Sequence, residues 1–376
     1  MEEQKMKKSI ALVLTIVLAV SVLTGCTGTT VVIGECTCPA QDHTAEPAPA
    51  PEAAPQESTQ NDAFEITADL VKTGLSVSTN ISESVSASAE ADGTAKYDIT
   101  LAAVTVDGNG VIRSCVIDSV PAAVSFDAAG TITSDLTAPV QTKNELGEQY
   151  GMVAYGNAVA EWDAQVASVA KYAVGKTVDE LKNGDIDMTT GYAKDGTDLA
   201  SSATIYLGGY VSAIEAAVAN AQHLGAQSGD ELVLATLNAV DSSTPADAEN
   251  AGNAQLDSTI AVLTRNNGII TSCYIDSVQA KIAFDTTGTI TTDLTVPVQT
   301  KNELGENYGM VAWGGAMAEW DAQAAAFARY VTGKTADEVA GIAITETTKP
   351  ADGSDLASSV TISIGGFQAL IAKAMQ

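Results

Sequence analysis

The chain has 376 residues, and its 47 acidic and 18 basic side chains give a formal net charge of −29. A charge of this sign and size repels nucleic acid and anionic lipid headgroups, so electrostatic attraction to either is excluded. Attachment to a membrane therefore requires an anchor.

The first 25 residues predict a lipoprotein signal peptide. Three lysines within residues 5–8 precede an apolar run, Ile10–Val22. This is the plan of a secretory signal, and Leu23–Cys26 resembles the bacterial lipobox, in which the cysteine receives diacylglycerol and becomes the mature N-terminus. The alternative is a transmembrane helix, for which the run is shorter than the roughly 20 residues that a span needs.

Residues 26–63 are predicted to be a lipidated cysteine followed by a flexible tether. Residues 39–63 are rich in Pro, Ala, Glu and Gln and lack the apolar surface needed to offset the entropy of ordering. Cys36 and Cys38 have no histidine or second cysteine pair beside them and are too isolated for a metal site. We expect the protein on the extracytoplasmic face of the cell membrane, held by its lipid.

The remainder of the chain is a tandem duplication. The segment Pro139–Glu148 returns unchanged as Pro297–Glu306, and Trp162 returns as Trp320, a spacing of about 158 residues. That spacing is the size of a domain rather than of a solenoid repeat. The sequence thus predicts two homologous domains, at 64–223 and 229–376.

Each domain is predicted to be α+β, with an antiparallel sheet packed against helices. In the first repeat, the alternating runs Leu70–Ile81, Tyr97–Val106 and Val111–Val120 indicate strands, and Ala122–Phe126 and Thr131–Ser134 extend the meander. The residues Asp107–Gly110 join two of these strands. A hairpin turn is favoured there over a calcium loop, because the later ligands and the closing glutamate are missing.

Helices follow the strands in each repeat. Apolar residues recur with a 3.6-residue period along two equivalent faces, namely Ala158, Trp162, Val166, Val169, Ala170 and Ala173, and Ala316, Trp320, Ala324, Phe327, Ala328 and Val331. Gly175 and Gly333 are predicted stops, and Thr177 and Thr335 open capping boxes. Trp162 and Trp320 then face inward, where they either pack in the core or stack on a ligand.

One cysteine lies at the same place in each repeat, at Cys115 and Cys273, within an apolar strand. A buried small hydrophobe is favoured over a redox thiol.

A short motif ends each repeat. Asp198–Thr204 reads DLASSAT and Asp355–Thr361 reads DLASSVT, each ahead of an apolar helix that carries Ile205 or Ile362. The motif resembles the FMN-binding domain family of flavinylated lipoproteins and of a subunit of the sodium-pumping quinone reductase. In that family the pattern is Asp-x-x-Ser/Thr-Gly-Ala-Ser/Thr, and a flavin transferase esterifies the final hydroxyl with the phosphate of FMN.

The resemblance implies covalent FMN on Thr204 and Thr361. It also implies that the other motif positions belong to the cofactor sites, namely Asp198, Ser201, Ser202, Asp355, Ser358 and Ser359. Serine replaces the family's glycine at Ser202 and Ser359, which would be costly if that position needed a positive φ. The alternative reading of the serines and threonines is a helix N-cap.

Lys143 and Lys301 stand among aromatic residues in a chain with few basic side chains. The neighbours are Tyr150, Tyr155 and Trp162 in the first repeat and Tyr308, Trp313 and Trp320 in the second. A lysine near an isoalloxazine would stabilise an anionic reduced flavin, and an aromatic ring would stack on it. The alternative is that the lysines are solvated partners of Glu145, Glu148, Glu303 and Glu306.

These features predict a lipid-anchored flavin carrier that passes electrons from a membrane donor to an extracellular acceptor, with a flavin transferase as a further partner. No hydrolytic triad, metal constellation or Walker motif is visible in the sequence. The alternative is a surface lipoprotein that kept the fold without the flavin and holds another ligand.

The lipid anchor can be tested by changing its cysteine. Because two acyl chains are needed for stable attachment, Cys26→Ala should release the protein from membranes or leave its signal uncut. Fractionation with intact-mass measurement checks this. Membrane retention of a Cys26→Ala protein that has the normal mature mass would contradict the prediction.

Overall fold

The computed structural model describes residues 70–376. The predicted signal peptide, Cys26 and the tether with Cys36 and Cys38 lie outside the described residues, as do residues 64–69.

The first repeat forms a three-stranded antiparallel sheet followed by helices. Its elements are β1 (Lys72–Asn80), β2 (Gly93–Val106), β3 (Ile112–Phe126), α1 (Lys143–Leu146), a 3₁₀ turn (Gly147–Tyr150), α2 (Met152–Gly156), α3 (Trp162–Ala173), α4 (Val178–Asn183), β4 (Ile186–Asp187), β5 (Tyr192–Ala193), α5 (Asp198–Ser202) and α6 (Gly208–Ala219).

The second repeat follows the same order without the small β4–β5 ribbon. Its elements are β6 (Glu231–Ala239), β7 (Gly252–Asn266), β8 (Ile269–Phe284), α7 (Lys301–Leu304), a 3₁₀ turn (Gly305–Tyr308), α8 (Met310–Gly314), α9 (Trp320–Val331), α10 (Ala336–Ala340), a 3₁₀ turn (Leu356–Ser358) and α11 (Gly365–Ala374). The fold is α+β, as the sequence predicts.

The two large sheets have the strand orders β1-β2-β3 and β6-β7-β8. Asp107 builds the β2–β3 hairpin turn, since its carboxylate accepts the backbone N–H groups of Asn109 at 2.8 Å and Val111 at 3.0 Å. The predicted strands Val111–Val120 and Ala122–Phe126 are a single strand, β3, because Pro121 stands in the ladder opposite Asp98 without breaking it.

The helix boundaries follow local signals. Thr177 and Thr335 form the predicted capping boxes with Glu180 and Glu338. Gly175, with φ of +84°, follows the end of α3 in the left-handed region that glycine adopts without strain.

The start of each long helix differs from the prediction. Ala158 and Ala316 lie before α3 and α9, which begin at Trp162 and Trp320. The reason is Glu161, whose carboxylate accepts the N–H groups of Met152 and Val153 and so caps the separate helix α2. Ile205 and Ile362 likewise precede α6 and α11 rather than lying within them.

Each sheet packs its helices on one face. In the first repeat this cluster joins β2 and β3 to α3 and α6 through residues such as Val104, Val166 and Ile214. The equivalent cluster of the second repeat includes Leu263, Phe327 and Ile371. Within residues 70–376 no helix has the length and apolar character needed to cross a bilayer.

The opposite faces of the two sheets pack against each other and form a third cluster drawn from both repeats. At its centre the rings of Phe126 and Phe284 stack in parallel, with centroids 4.0 Å apart. Cross-repeat contacts occur in equivalent pairs, since Ala87 N donates to Gly288 O at 2.8 Å and Ala246 N donates to Gly130 O at 2.9 Å. The repeats are therefore related by a pseudo-two-fold axis.

The cluster that the two repeats share changes the expected division into two separate domains. Residues 63–376 form one compact unit that contains both repeats. Each half has a helix–sheet cluster of its own, so we still expect each to form a core, but separation would expose the central cluster to water. We therefore expect the joined repeats to be more stable than either half alone.

The stacked pair provides a test of this coupling. Phe126→Ala and Phe284→Ala should each lower the free energy of unfolding by about 3–5 kcal/mol. Their double variant should cost less than the sum, because both changes remove the same stack. Chemical denaturation of wild type, the two single variants and the double variant measures this double-mutant cycle.

Phe327→Ala, in the second repeat's own cluster, is the matched control. Its loss of unfolding free energy should add to that of Phe126→Ala. Full additivity of the Phe126 and Phe284 changes would contradict the coupling.

Candidate functional site

Lys143 lies between two aromatic rings at the start of α1. Its Nζ is 5.3 Å from the ring centre of Tyr150 and 5.2 Å from that of Trp162. The same atom is 3.7 Å from Asp98 Oδ1, and the side chain is largely buried. Both rings thus stabilise the cation by cation–π contacts.

Lys301 repeats this arrangement in the second repeat, 5.0 Å from the ring centre of Tyr308 and 5.1 Å from that of Trp320. The equivalent carboxylate, Asp257, accepts amide N–H groups from Gln255 and Gln279 instead of pairing with the lysine. The aromatic surroundings of both lysines are as predicted, except that Tyr155 and Trp313 point outward and are almost fully exposed.

The expected pairing of these lysines with nearby glutamates is wrong. Lys143 pairs with Asp98, while Glu145 pairs with Lys373 of the second repeat. Among the described residues Glu148, Glu303 and Glu306 form no ion pair. Both lysines instead lie over aromatic rings of their own repeats.

Trp162 and Trp320 are core residues, with 3% and 7% of their surface exposed. Trp162 Nε1 donates to the Tyr210 hydroxyl at 2.9 Å, and the two rings meet edge to face. Trp320 meets Phe367 in the same way. Their faces are covered by Lys143 and Lys301, so neither indole is presented to a ligand.

The motif serines do not cap a helix. Ser201 Oγ donates to Asp198 O at 2.7 Å, and Ser202 Oγ donates to the carbonyls of Asp198 and Leu199. The N-cap of α5 is Thr197, whose hydroxyl accepts Ala200 N–H at 3.2 Å.

The same arrangement recurs in the second repeat. Ser358 Oγ donates to Asp355 O at 2.7 Å, and Ser359 Oγ donates to Leu356 O at 3.3 Å. The capping function falls to Ser354, whose hydroxyl accepts Ala357 N–H. The capping interpretation of the motif serines is therefore wrong in both repeats.

Serine suits the position where the family has glycine. Ser202 lies within α5 and Ser359 has φ of −125°, and neither belongs to the non-glycine residues of positive φ. The anticipated conformational cost of serine at this position is therefore absent.

The motif threonines are held by a buried glutamine that sequence reasoning did not select. Gln165 Oε1 accepts both the backbone N–H of Thr204 at 2.8 Å and its hydroxyl at 3.3 Å, while Gln165 Nε2 donates to Ala160 O. In the second repeat Gln323 Oε1 accepts the same two groups of Thr361, at 2.7 and 3.1 Å. Both glutamines are fully buried.

A signal for these glutamines was available. Each ends the repeated segment AEWDAQ and lies three residues after Trp162 or Trp320, on the inward face of its helix. A polar residue at an inward position of an otherwise apolar face indicates a specific hydrogen-bond partner.

The surroundings of Thr204 differ from those of Thr361. Thr204 is exposed, and two residues later Tyr206 forms an edge-to-face pair with Tyr192. These rings are 56% and 47% exposed. Tyr206 rests on Gly191, which has φ of +76° and where a Cβ would come within 2.1 Å of the ring. Glycine is required there for the tyrosine to occupy this place.

A surface cavity of about 540 Å³ lies beside α5 of the first repeat. It is lined by Ser168, Lys171, Tyr172, Asp185, Asp198, Leu199 and Ser202. This volume is within the range of about 300–1,000 Å³ typical of small-molecule sites, and Lys171 contributes a cation to its wall. Asp198 and Ser202, but not Ser201 or Thr204, are thus placed at a cavity.

The second repeat lacks these features. Thr361 is half-buried, and the positions equivalent to Tyr192 and Tyr206 carry Lys349 and Ser363. The two repeats therefore share the glutamine–threonine contact but differ in the surface around it.

The two strand cysteines differ in exposure, since Cys273 is buried and Cys115 is partly buried. Burial raises the pKa of both thiols to about 12, which favours the protonated form at neutral pH. Both thiols lie in or against the helix–sheet cluster of their repeat.

Two buried aspartates anchor the segments that carry the lysines. Asp276 Oδ1 accepts the N–H groups of Ser277 and Asn302, the residue after Lys301, at 2.7 and 3.2 Å. Asp118 makes the equivalent contact with Asn144 at 3.1 Å. Burial raises the pKa of Asp118 and raises that of Asp276 to about 6.

The chain was compared with family models, curated proteins and solved structures, and no match was found in any of the three.

The raised pKa of Asp276 predicts a pH-dependent stability. Since the folded state holds this proton more tightly than the unfolded chain, the Asp276 contribution is largest below about pH 4 and is lost as the pH rises through about 6. Each pKa unit is worth about 1.4 kcal/mol. The difference in unfolding free energy between wild type and Asp276→Asn should therefore favour wild type increasingly from pH 7 to pH 4. A constant difference across this range, measured by denaturation at each pH, would contradict the prediction.

Proposed function

We propose that this protein is a lipid-anchored extracytoplasmic flavin carrier whose first repeat holds FMN through a phosphoester at Thr204. The observation that carries the proposal is the exposed Thr204, fixed by Gln165 and flanked by an exposed aromatic pair. The motif resemblance supplies the chemistry, and the local geometry fits it.

The attachment position fits the group in three respects. Thr204 is an exposed residue, as access by an external transferase requires. Gln165 Oε1 retains the Thr204 backbone N–H as a donor after the hydroxyl is esterified, so modification leaves no buried oxygen without a partner. Ser202 has helical backbone angles and does not obstruct the motif by strain.

Residues near Thr204 are suited to hold the rest of the cofactor. Tyr192 and Tyr206 offer exposed aromatic surface for a planar ring system. Lys171 lines the neighbouring cavity together with Asp185 and Asp198, and it is the positive charge there that suits a phosphate. When bound, the flavin supplies the electron-transfer chemistry, and the protein supplies attachment, position and potential.

Lys143 contributes by positioning other residues rather than by contact with the cofactor. It is held by Tyr150 and Trp162, and its charge is balanced at 3.7 Å by Asp98. The Lys143–Asp98 pair therefore fixes the position of Trp162, and Gln165 lies one helical turn further along α3.

A second candidate function is a surface lipoprotein that binds a different ligand without flavin. The second repeat favours it, since Thr361 is half-buried and Lys349 and Ser363 replace the aromatic pair. We therefore expect flavin on Thr204 in preference to Thr361.

Coexpression with a competent flavin transferase tests the proposal. Intact-mass measurement with peptide mapping should find one flavin phosphate on Thr204, with visible absorbance to match. Thr204→Ala should abolish the adduct because the phosphoester needs a hydroxyl, while Thr204→Ser should retain it. Thr361→Ala is the matched control and should leave the main adduct in place.

Two further variants separate attachment from folding. Ser202→Gly should change occupancy little, because the serine is not strained. Gln165→Leu should lower occupancy while Thr204 keeps its hydroxyl, since the loop loses its buried acceptor. An unmodified mass in wild type and Ser202→Gly, with the transferase shown to be active on another substrate, would overturn the proposal and favour the second candidate.

A further inference from the structure

A second cavity lies where the two repeats meet. It has a volume of about 570 Å³ and is lined by Val77, Ser78 and Thr79 of β1 and by Pro297, Val298, Gln299 and Glu303 of the second repeat. Thr79 and Val298 form an isolated antiparallel bridge beside it.

One charged acceptor at this cavity has no cationic partner among the described residues. Glu303 uses Oε2 to cap the N–H of Thr300 at 2.8 Å, and its exposed carboxylate forms no ion pair within residues 70–376. A carboxylate without a cation beside it suits a donor that carries positive charge.

The pseudo-two-fold axis supplies a second copy of this place, in which such a donor is present. There Lys373 of α11 donates from Nζ to Thr236 O at 2.8 Å and forms an ion pair with Glu145. Glu145 also caps the N–H of Thr142, as Glu303 caps Thr300. An ammonium group therefore occupies this copy of the site.

The correspondence between the two places is set by the sheet register. Val77 pairs with Leu101 as Thr236 pairs with Ile260, so the Val77 carbonyl has the orientation of the carbonyl that accepts from Lys373. Thr79 stands where Asn238 stands, and Asn238 donates to Val140 O across the same boundary.

The ammonium donor, Lys373, has no counterpart in the first repeat. Helices α6 and α11 both begin with two glycines, and from that alignment Ala216 is the counterpart of Lys373. The first repeat's C-terminal helix thus brings a methyl group to the place where the second brings an ammonium group. The counterparts of the two acceptors remain, and Val77 and Glu303 both line the cavity.

We propose that this cavity is a binding site for a primary ammonium group. Glu303 Oε1 and the Val77 carbonyl correspond to the two oxygens that hold the Lys373 ammonium group in the other copy, and a primary alkylammonium ion brings N–H donors for both. The net charge of −29 favours cation entry. A quaternary ammonium has the same charge but no N–H, so the site distinguishes the two. This inference is independent of flavin attachment.

The full-length chain can be titrated by calorimetry with n-butylammonium and, as a matched probe, n-butyltrimethylammonium. Wild type should bind one equivalent of the primary amine and bind the quaternary probe at least about tenfold more weakly, since hydrogen bonds to a charged group are lost. Equal binding of the two probes would reduce the site to nonspecific charge attraction and overturn the proposal.

Three variants locate the site. Glu303→Gln keeps the oxygen that caps Thr300 and removes only the charge, and it should weaken binding about tenfold or more. Ala216→Lys should place an internal ammonium in the cavity and abolish binding. Lys373→Ala should open the symmetry-related place beside Glu145 and create a second equivalent. Unchanged titration of both Glu303→Gln and Ala216→Lys would refute the assignment.

Discussion

The face-to-face packing of the two sheets is the constraint on which the rest of this molecule depends. Phe126 and Phe284 are equivalent residues of the two repeats, and their parallel stacking at 4.0 Å lies on the pseudo-two-fold axis. Contacts away from such an axis can occur twice, as the Ala87–Gly288 hydrogen bond recurs between Ala246 and Gly130. Gly130 and Gly288 allow the approach, because a Cβ at either would come within 2.7 Å of an alanine of the other repeat.

This packing gives the two faces of each sheet different roles. The inner sheet faces are used for the shared cluster, and the outer faces carry helices α3, α6, α9 and α11. Thr204 and Thr361 lie in this helical layer, just before α6 and α11, and neither belongs to the central cluster. A site on this outer layer can therefore change by substitution without disturbing the interface that holds the repeats together.

Much of the local structure could be predicted from the sequence because its causes are local. The capping boxes at Thr177 and Thr335 and the turn at Asp107 depend on residues within a few positions of each other. The single β3 strand through Pro121 depends on its sheet partner, and the start of α3 at Trp162 depends on backbone N–H groups eight and nine residues earlier that donate to Glu161. Periodicity reveals neither. The joining of two predicted domains through Phe126 and Phe284 is a tertiary contact with no local signal.

The candidate site shows the same division between what is local and what is not. The motif placed Thr204 and Thr361 correctly as equivalent positions, yet the residues that hold them, Gln165 and Gln323, come from a helix nearly 40 positions earlier. Each amide oxygen receives a backbone N–H and a hydroxyl while its NH₂ group is fixed by a carbonyl. The N–H contact sets the threonine backbone even without the hydroxyl. The position of the threonine backbone therefore depends on the buried glutamine rather than on the chemistry of the threonine side chain.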